Sequence, residues 1–427
     1  MRLETKCLHA GQEPDASTNS RAVPVYRTAA YVFDNSEHAA NLFALKELGN
    51  IYSRIMNPTQ DVLEKRVAEL EGGAAALAVA SGTSGIFYSI INLAQAGDNI
   101  VSANNLYGGT YTQFNDILPK MGISTKFVDP NDHAAIAAAI DENTKAVFCE
   151  TIGNPALDVT DIEALAEIAH KNNIPLIVDA TFSTPYLTRP IEHGADIVVH
   201  SLTKWFGGHG VGIGGIVVDS GKFNWANGKF PLYDNPDNSY HGLRWGHDLP
   251  EPLAPLAYIL RMRTVPLRNL GACISPDNAW FFIQGIETLH LRMQRHCENA
   301  LTIAKALQNN PNVDWVLYPG LQDNANYELN KKYLNGEGGS MVVFGIKGDA
   351  QAGSRFIDSL KLVSHLANVG DAKTLAIHPA TTTHSQLNEE QQRAGGITPE
   401  MVRLSIGIEH ADDILEDINQ ALQAATA

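Results

Sequence analysis

The sequence predicts an α/β fold, with a mostly parallel β-sheet covered by helices on both faces and a smaller α+β domain after it. Short β-branched runs alternate with helix-like segments through the middle of the chain. These runs are apolar almost throughout, as expected for strands that are buried on both faces. The length of 427 residues exceeds what one hydrophobic core normally supports, which favours more than one domain.

Each element of the large sheet follows from this alternation. The predicted strands are 75–80, 99–103, 126–129, 146–151, 175–181 and 195–201. Helices are predicted near 84–95, 110–121, 132–140 and 161–171. Before them, residues 1–60 show no sustained period and predict an extended arm with turns.

The second half of the chain changes character. Residues 220–275 are rich in Asn, Pro, Gly, Trp and Tyr, which predicts an excursion at about 220–265 and a connecting helix. A long amphipathic helix is predicted at 276–309, followed by strands at 340–346 and 402–408 and helices at 351–360 and 410–425. We therefore expect three regions, an arm at 1–60, a large α/β domain at 61–275 and a C-terminal α+β domain at 276–427.

Composition and charge exclude several classes of function. The net charge of −16 disfavours a nucleic-acid partner. Residues 74–97 carry no charge, but Ser, Thr, Asn, Gln and Gly interrupt them, so no membrane span is predicted. The four cysteines form no CxxC pair, the histidines no HExxH motif, and the N-terminus resembles no signal peptide. We expect a cytoplasmic protein without a metal site.

The strongest chemical signal is the segment SLTKWFGGHGVGIGG, residues 201–215. Lys204 follows the predicted strand ADIVVH and so lies where α/β enzymes place their ligands, at the carboxyl end of a strand. Ser201 and Thr203 suit a phosphate group, and Asp179 ends the preceding strand. Pyridoxal phosphate (PLP) requires these groups: a lysine for covalent attachment, a carboxylate for the pyridine nitrogen and hydroxyls for the phosphate. Taken alone, each residue would favour an ordinary explanation, with Lys204 as a solvated loop residue and Asp179 as a helix cap.

Three further segments add candidates. Ser81-Gly82-Thr83 ends a predicted strand and opens a helix, where exposed N–H groups bind phosphate. Tyr107 could stack on a planar cofactor, and Tyr52 and Arg54 offer a phenol and a guanidinium together. An ordinary turn, a core tyrosine and a polar loop are the alternatives for these segments.

Two competing motifs lie within residues 201–215. Gly210–Gly215 fits G-x-G-x-x-G, but a strand-like segment follows where a dinucleotide site needs a helix. Ser201-Leu202-Thr203-Lys204 fits S-x-x-K of serine acyl hydrolases, but no K-T-G or S-D-N accompanies it. A serine acyl hydrolase is therefore the alternative from another class.

Assembled in order, the motifs resemble the Cys/Met-metabolism family of PLP-dependent enzymes. The matching pieces are Tyr52-Ser53-Arg54, Ser81-Gly82-Thr83, Tyr107-Gly108-Gly109-Thr110, Glu150-Thr151-Ile152-Gly153-Asn154-Pro155, Val178-Asp179-Ala180-Thr181, Ser201-Leu202-Thr203-Lys204, His378-Pro379-Ala380 and Arg403-Leu404-Ser405-Ile406-Gly407. They span nearly the whole chain. The resemblance implies the aminotransferase-like fold (fold type I), with the large domain binding PLP.

The resemblance also assigns roles to individual residues. It implies that Lys204, Tyr107 and Asp179 are catalytic and that Arg403 binds the substrate carboxylate. The implied cofactor-binding residues are Tyr52, Arg54, Ser81, Gly82, Thr83, Tyr107, Asn154, Asp179, Thr181, Ser201, Thr203 and Lys204. The implied substrate-binding residues are Tyr52, Asn154, Asn368 and Arg403. In this family Tyr52 and Arg54 reach into a neighbouring subunit's site, which implies a homo-oligomer, a dimer-based tetramer.

Within the family, the N-terminal segment and the excursion are similar to the branch that acts on O-acetylhomoserine. That likeness implies γ-replacement with sulfide or a thiol, giving homocysteine or methionine and acetate. Methionine γ-lyases carry a cysteine where this chain has Gly109, and many relatives read Ser-Leu-Gly where it has Asn368-Val369-Gly370. A cystathionine γ-synthase, a cystathionine or methionine lyase, and a non-catalytic PLP-fold binding protein remain alternatives. Acetyl or succinyl preference, the sulfur donor and a sulfur-carrier protein stay open.

Overall fold

Two β-sheets organise the chain in a computed structural model that describes residues 1–348, 351–382 and 398–426. The larger sheet has seven strands in the order β1-β7-β6-β5-β4-β2-β3, and the smaller has five in the order β10-β11-β12-β9-β8. The larger sheet matches the predicted mostly parallel α/β domain. The predicted C-terminal domain, 276–427, includes residues outside those described.

The strands and helices have the following bounds. The strands are β1 Ala75–Val79, β2 Asn99–Ala103, β3 Ser124–Val128, β4 Thr144–Glu150, β5 Leu176–Asp179, β6 Ile197–Ser201, β7 Gly215–Asp219, β8 Val313–Leu317, β9 Met341–Ile346, β10 Ser364–His365, β11 Leu375–Ile377 and β12 Met401–Ser405. The helices are α1 Leu3–His9, α2 Ser36–Phe43, α3 Pro58–Glu71, α4 Gly82–Ile91, α5 Gly108–Thr112, α6 His133–Ala139, α7 Ile162–Lys171, α8 Thr184–Leu187, α9 Pro231–Asp234, α10 Ala257–Met262, α11 Arg268–Leu270, α12 Pro276–Glu287, α13 Leu289–Gln308, α14 Tyr327–Tyr333, α15 Ala352–Ser359 and α16 Ala411–Thr426. Single π-helical turns at Gln113–Ile117 and Arg263–Leu267 extend α5 and α10.

The parallel strands bring the predicted site residues to one edge of the large sheet. β3, β2, β4, β5 and β6 run parallel, so their carboxyl ends meet at the same edge. Register pairs Glu150 with Asp179 and Asp179 with Val199, which places the ends of β4 and β5 level. β7 runs antiparallel to both β6 and β1, because the connection 202–214 returns without a crossover helix.

The N-terminal segment is not the extended arm that its sequence predicts. It contains α1 and α2, and α3 already begins at Pro58, where the Asn57 side chain accepts a hydrogen bond from the N–H of Thr59. α1 docks on α3, with Cys7 fully buried and the Arg66 Nε donating to the Ala10 carbonyl. Two helices of seven and eight residues are too short to show a clear period.

The 220–275 segment belongs to the core of the large domain. The Trp225 ring stacks on those of Tyr233 and Tyr258, with centroids 4.7 and 4.9 Å apart. The Asn92 amide donates to the Tyr233 hydroxyl at 2.9 Å. The predicted excursion therefore packs against α4 through buried aromatic rings and gives the domain part of its core.

The smaller sheet contacts the large domain beside the predicted lysine. The predicted helix 276–309 is interrupted at Thr288, which separates α12 from α13. The Trp205 indole N–H donates to the Ser340 hydroxyl at 2.8 Å, and the Ala372 N–H donates to the Gly208 carbonyl at 2.8 Å. In the described part of the chain, no helix is long and apolar enough to cross a membrane, and no three His, Cys, Asp or Glu side chains gather as a metal site would require.

Candidate active site

A cavity of about 680 Å³ lies at the carboxyl ends of β4, β5 and β6, against the segment between β10 and β11. All of the predicted site residues except Tyr52 and Arg54 line this cavity. The lining residues that were predicted are Ser81, Gly82, Thr83, Tyr107, Asn154, Asp179, Thr181, Ser201, Thr203, Lys204, Asn368 and Arg403. Strands and loops that are far apart in sequence therefore converge on one chamber.

The start of α4 forms an anion-binding end of this cavity. The Ser81 hydroxyl caps the helix by accepting from the N–H of Ser84 at 3.0 Å. The N–H groups of Gly82 and Thr83 have no intrahelical acceptor because they lie in the first turn. A Cβ at Gly82 would lie 2.6 Å from the Cβ of Ser201, so only glycine permits this close approach to β6. Free amides, the helix dipole and the Ser201 and Thr203 hydroxyls suit a phosphate.

Lys204 projects into the cavity from the turn after β6. Its Nζ donates to the Asn368 Oδ1 at 2.6 Å. Burial, and secondarily the charge of Arg403, lower the pKa of Lys204 to about 8. An amine with this pKa is far more often neutral near pH 7 than an ordinary lysine, which favours nucleophilic attack and proton transfer.

Asp179 ends β5 and faces the cavity. Its Oδ1 accepts from the N–H and the hydroxyl of Thr181 at 2.9 and 2.6 Å, and the Thr181 Oγ1 accepts from the N–H of Ser201. Burial raises the pKa of Asp179, while the hydrogen bonds from Thr181 and the charge of His200 act in the opposite direction. A buried carboxylate of this kind is stabilised by a cationic N–H, which the protonated pyridine ring of PLP provides.

Arg403, on β12, is the buried cation at the other side of the cavity. It is 7% exposed, its Nη1 donates to the Asn154 Oδ1 at 3.0 Å, and no described carboxylate lies within ion-pair distance. Burial lowers the pKa of Arg403 to about 10, so the guanidinium remains charged at neutral pH. A buried guanidinium without an anionic partner suits a ligand carboxylate.

Tyr107 lies at the rim, with about half of its surface exposed. Its backbone N–H donates to the Glu150 Oε1 at 2.7 Å. A Cβ at Gly109 would lie 2.5 Å from the Tyr107 Cε1, so the ring rests directly over the glycine backbone. The phenol thus lines the same cavity as Lys204 and Asp179.

Tyr52 and Arg54 lie outside the cavity of their own chain. Both are exposed, and the Arg54 guanidinium carbon lies 5.1 Å from the Tyr52 ring centroid. Within one chain they contribute nothing to the site that the other predicted residues form.

Three polar side chains that line the cavity, those of Glu150, Gln113 and Thr112, were not among the predicted site residues. Glu150 is the final residue of β4 and the first letter of the ETIGNP motif, and Gln113 lies in the π-helical turn that extends α5. No sequence motif identifies Gln113, whose side-chain amide donates to the Thr83 carbonyl at 3.3 Å. The signal for Glu150 was present, since it ends a predicted strand as Asp179 does.

The donor set fits PLP at each of its functional groups. α4 and the two hydroxyls would hold the phosphate, Asp179 the pyridine nitrogen, Lys204 the aldehyde carbon and Tyr107 one ring face. When bound, the cofactor withdraws electrons from the substrate's α-carbon and acidifies its protons. The chain itself supplies the amine that moves those protons and the cation that orients the substrate.

Comparison with known proteins places this chain in one family. The model of the Cys/Met metabolism PLP-dependent enzymes matches residues 4–423. An O-acetyl-L-homoserine sulfhydrylase of Leptospira meyeri is 53% identical, covering 98% of this chain and 96% of its own. A homocysteine synthase of Schizosaccharomyces pombe is also 53% identical, covering 99% and 98%.

A solved structure agrees with both. A Campylobacter jejuni protein, described as an O-acetylhomoserine (thiol)-lyase with N'-pyridoxyl-lysine-5'-monophosphate, superposes with a TM-score of 0.95 at 42% identity, covering 99% of this chain and 100% of its own. The fold is that of a PLP-dependent enzyme of fold type I. The chain belongs to the Cys/Met-metabolism family of PLP-dependent enzymes, and its cofactor is pyridoxal 5'-phosphate.

Proposed function

We propose that this chain catalyses γ-replacement on O-acetyl-L-homoserine, with sulfide or a thiol as the incoming group and homocysteine or methionine and acetate as products. The observation that carries the proposal is the pairing of Lys204 and Arg403 in one cavity, a base with a lowered pKa beside a buried carboxylate receptor. The names of the full-length relatives support the same reaction.

Each side chain then has a distinct task. Arg403 binds the α-carboxylate, with Asn154 holding the guanidinium in place and Asn368 adding a polar contact. Lys204 holds and moves protons at the substrate's α- and β-carbons. Removal of a β-proton supplies the electron pair that expels acetate from the γ-carbon, and addition of sulfur at that same carbon is completed by return of a proton to the β-carbon. Lys204 lies within the same chamber for both steps.

Asp179 and the phosphate-binding groups keep the cofactor fixed while protons move. Asp179 would hold the ring nitrogen protonated, and Ser81, Gly82, Thr83, Ser201 and Thr203 would receive the phosphate. Tyr107 would stack on the ring and assist proton transfer. Thr181 supports this arrangement because it bonds Asp179 and β6 at once.

We further propose a homo-oligomer, a dimer-based tetramer in the cytoplasm, in which Tyr52 and Arg54 complete the site of a neighbouring subunit. Their exposure in the single chain supports this, as do the apolar side chains of Val32 (96% exposed) and Ile213 (62% exposed, at the cavity). All four cysteines are free, which fits a reducing compartment.

A comparison of sulfur donors tests the reaction. The purified holoenzyme is incubated with O-acetylhomoserine and, separately, sulfide, methanethiol or cysteine, and the products are measured by mass spectrometry. Homocysteine and acetate in equal amounts with sulfide support the proposal. Cystathionine formed from cysteine as the main product would instead indicate a cystathionine γ-synthase. In separate incubations, release of ammonia from methionine or cystathionine would indicate a lyase, and acylation by a β-lactam would indicate a serine hydrolase.

Subunit mixing tests the shared site. Arg54→Ala subunits and Lys204→Ala subunits are each impaired, but one hybrid site in a mixed dimer contains both native residues. Mixing should restore activity in proportion to hybrid formation, whereas proven subunit exchange without any recovery would contradict a shared site.

A further inference from the structure

Glu150 and Asp179 place two buried carboxyl groups side by side in the cavity wall. Register pairs them directly across the parallel strands β4 and β5, whose backbones lie about 4.8 Å apart, so both side chains point to the same face. Their residues are only 6% and 9% exposed. Two carboxylates this close and this poorly solvated strongly disfavour joint ionisation.

Only Asp179 has the surroundings of an anion. Burial raises its pKa, but two hydrogen bonds from Thr181 and the charge of His200 act against that rise. Among the described residues, no Lys, Arg or His side chain bonds to Glu150. Burial, and then the charge of Asp179, raise the pKa of Glu150 well above its ordinary value. Of the two carboxyls, Glu150 is therefore the neutral one.

The hydrogen bond that Glu150 accepts fixes the position of Tyr107. The Tyr107 N–H reaches the Glu150 Oε1 at 2.7 Å, while the phenol makes no hydrogen bond to the described chain. The ring's position therefore depends on how its backbone is held over Gly109. The neighbouring Asn105 carbonyl accepts from the N–H of Asn154 at 3.2 Å, a second and longer anchor of the same loop.

We propose that Glu150 is a positioning residue: as a neutral acceptor it holds the Tyr107 backbone, and with it the ring, over the cavity, and it leaves Asp179 as the only anion of the pair. Because Tyr107 is assigned to stacking on the cofactor, this inference rests on the proposed function of the site. In this role the Glu150 carboxyl neither transfers a proton nor binds the substrate carboxylate.

Glu150→Gln and Glu150→Ala separate the acceptor from the charge. The amide of Gln keeps an oxygen for the Tyr107 N–H and is always neutral, whereas Ala leaves that N–H without its partner. For Glu150→Ala we expect the affinity of the apoprotein for PLP to fall roughly tenfold, the circular dichroism of the cofactor band to change shape, and kcat to fall roughly ten- to a hundredfold. Glu150→Gln should recover most of each loss and restore the dichroism band.

A double-mutant cycle with Tyr107→Ala shows whether Glu150 acts through the ring. Without the ring there is nothing left to position, so Glu150→Ala should then weaken PLP binding by less than about twofold. Should Glu150→Ala fail to fold, Glu150→Leu keeps the volume and also lacks the acceptor. Glu167→Gln, on the exposed face of α7, controls for loss of an acidic side chain elsewhere.

Three outcomes would overturn the proposal. Equal damage from Gln and Ala would mean that Glu150 is needed as an anion. Full additivity with Tyr107→Ala would show that it does not act through the ring, and unchanged PLP affinity and dichroism in Glu150→Ala would remove the positioning role. PLP affinity and dichroism do not depend on the substrate, so a wild-type enzyme that forms no homocysteine would contradict the proposed function and not this inference.

Discussion

Arg403→Ala is the substitution whose effect the structure defines most sharply. The guanidinium is 7% exposed, has Asn154 as its only side-chain partner among the described residues and remains charged despite a pKa of about 10. Removing one partner of a desolvated charge pair costs about 2–5 kcal/mol. Tyr107 is half exposed at the rim, so water can partly solvate a substrate carboxylate that has lost its cationic partner. We therefore expect a loss of about 3 kcal/mol of transition-state stabilisation, within this range. At 1.36 kcal/mol per tenfold, kcat/KM should fall roughly 150-fold.

The assay combines steady-state kinetics on O-acetylhomoserine with the absorption spectrum of the holoenzyme. Colour and PLP content should survive, because Arg403 is assigned to the substrate and not to the cofactor. Arg403→Lys should recover little, since a point charge cannot reproduce the two-pronged contact. Arg295→Ala, an exposed arginine on α13, is the matched control.

A second readout is independent of turnover. Because the charge of Arg403 helps to lower the pKa of Lys204, that pKa should rise in the Arg403→Ala apoprotein. Near-normal kcat/KM in Arg403→Ala would falsify the carboxylate role, and loss of colour would show that Arg403 serves the cofactor instead.

Three further predictions follow from other parts of the structure. The rate at which the apoprotein captures PLP should rise with pH and level off above about 8, where Lys204 becomes neutral, and an inflection near 10.5 would contradict the lowered pKa. Gly109→Ala should displace the Tyr107 ring, because the new Cβ would lie 2.5 Å from the Tyr107 Cε1, and should lower kcat roughly ten- to a hundredfold. The control Gly212→Ala should leave kcat unchanged, because the nearest atom to its new Cβ would be 3.5 Å away. Equal effects of the two substitutions would contradict the steric argument. Burial lowers the pKa of His296 from 6.5 to about 4, so the unfolded chain binds this proton first as pH falls. About 3 kcal/mol of the free energy of unfolding should therefore be lost between pH 6.5 and 4 in the wild type but not in His296→Gln, as measured by denaturant titration. Parallel pH profiles of the two proteins would contradict this prediction.

The large sheet could be predicted from the sequence because its buried strands are short apolar runs. β2 coincides with the predicted NIVSA strand, and β5 and β6 lie within their predicted runs. β8, β10 and β11 were not predicted, since β10 and β11 have only two and three residues and β8 is polar at Asp314. The antiparallel direction of β7 needs the path of 202–214, which no local pattern contains.

The cavity could be predicted where chemistry and strand ends coincide. Lys204 and Asp179 follow buried strands, so their side chains meet at the edge where those strands end. Glu150 ends a strand in the same way, but its role depends on the register of β4 against β5 and on the loop that brings the Tyr107 N–H to it. Those are long-range contacts, and neither composition nor periodicity specifies them.

Borohydride reduction of the holoenzyme tests whether Lys204 carries PLP in the described cavity. The purified protein is reduced, digested and mapped by mass spectrometry, with Lys204→Ala as the control. We expect the pure protein to be yellow and the pyridoxyl group to be fixed on the peptide that contains Lys204, with no labelled peptide in Lys204→Ala. Stoichiometric labelling at any other lysine, or none at all in a coloured wild-type protein, would contradict the account.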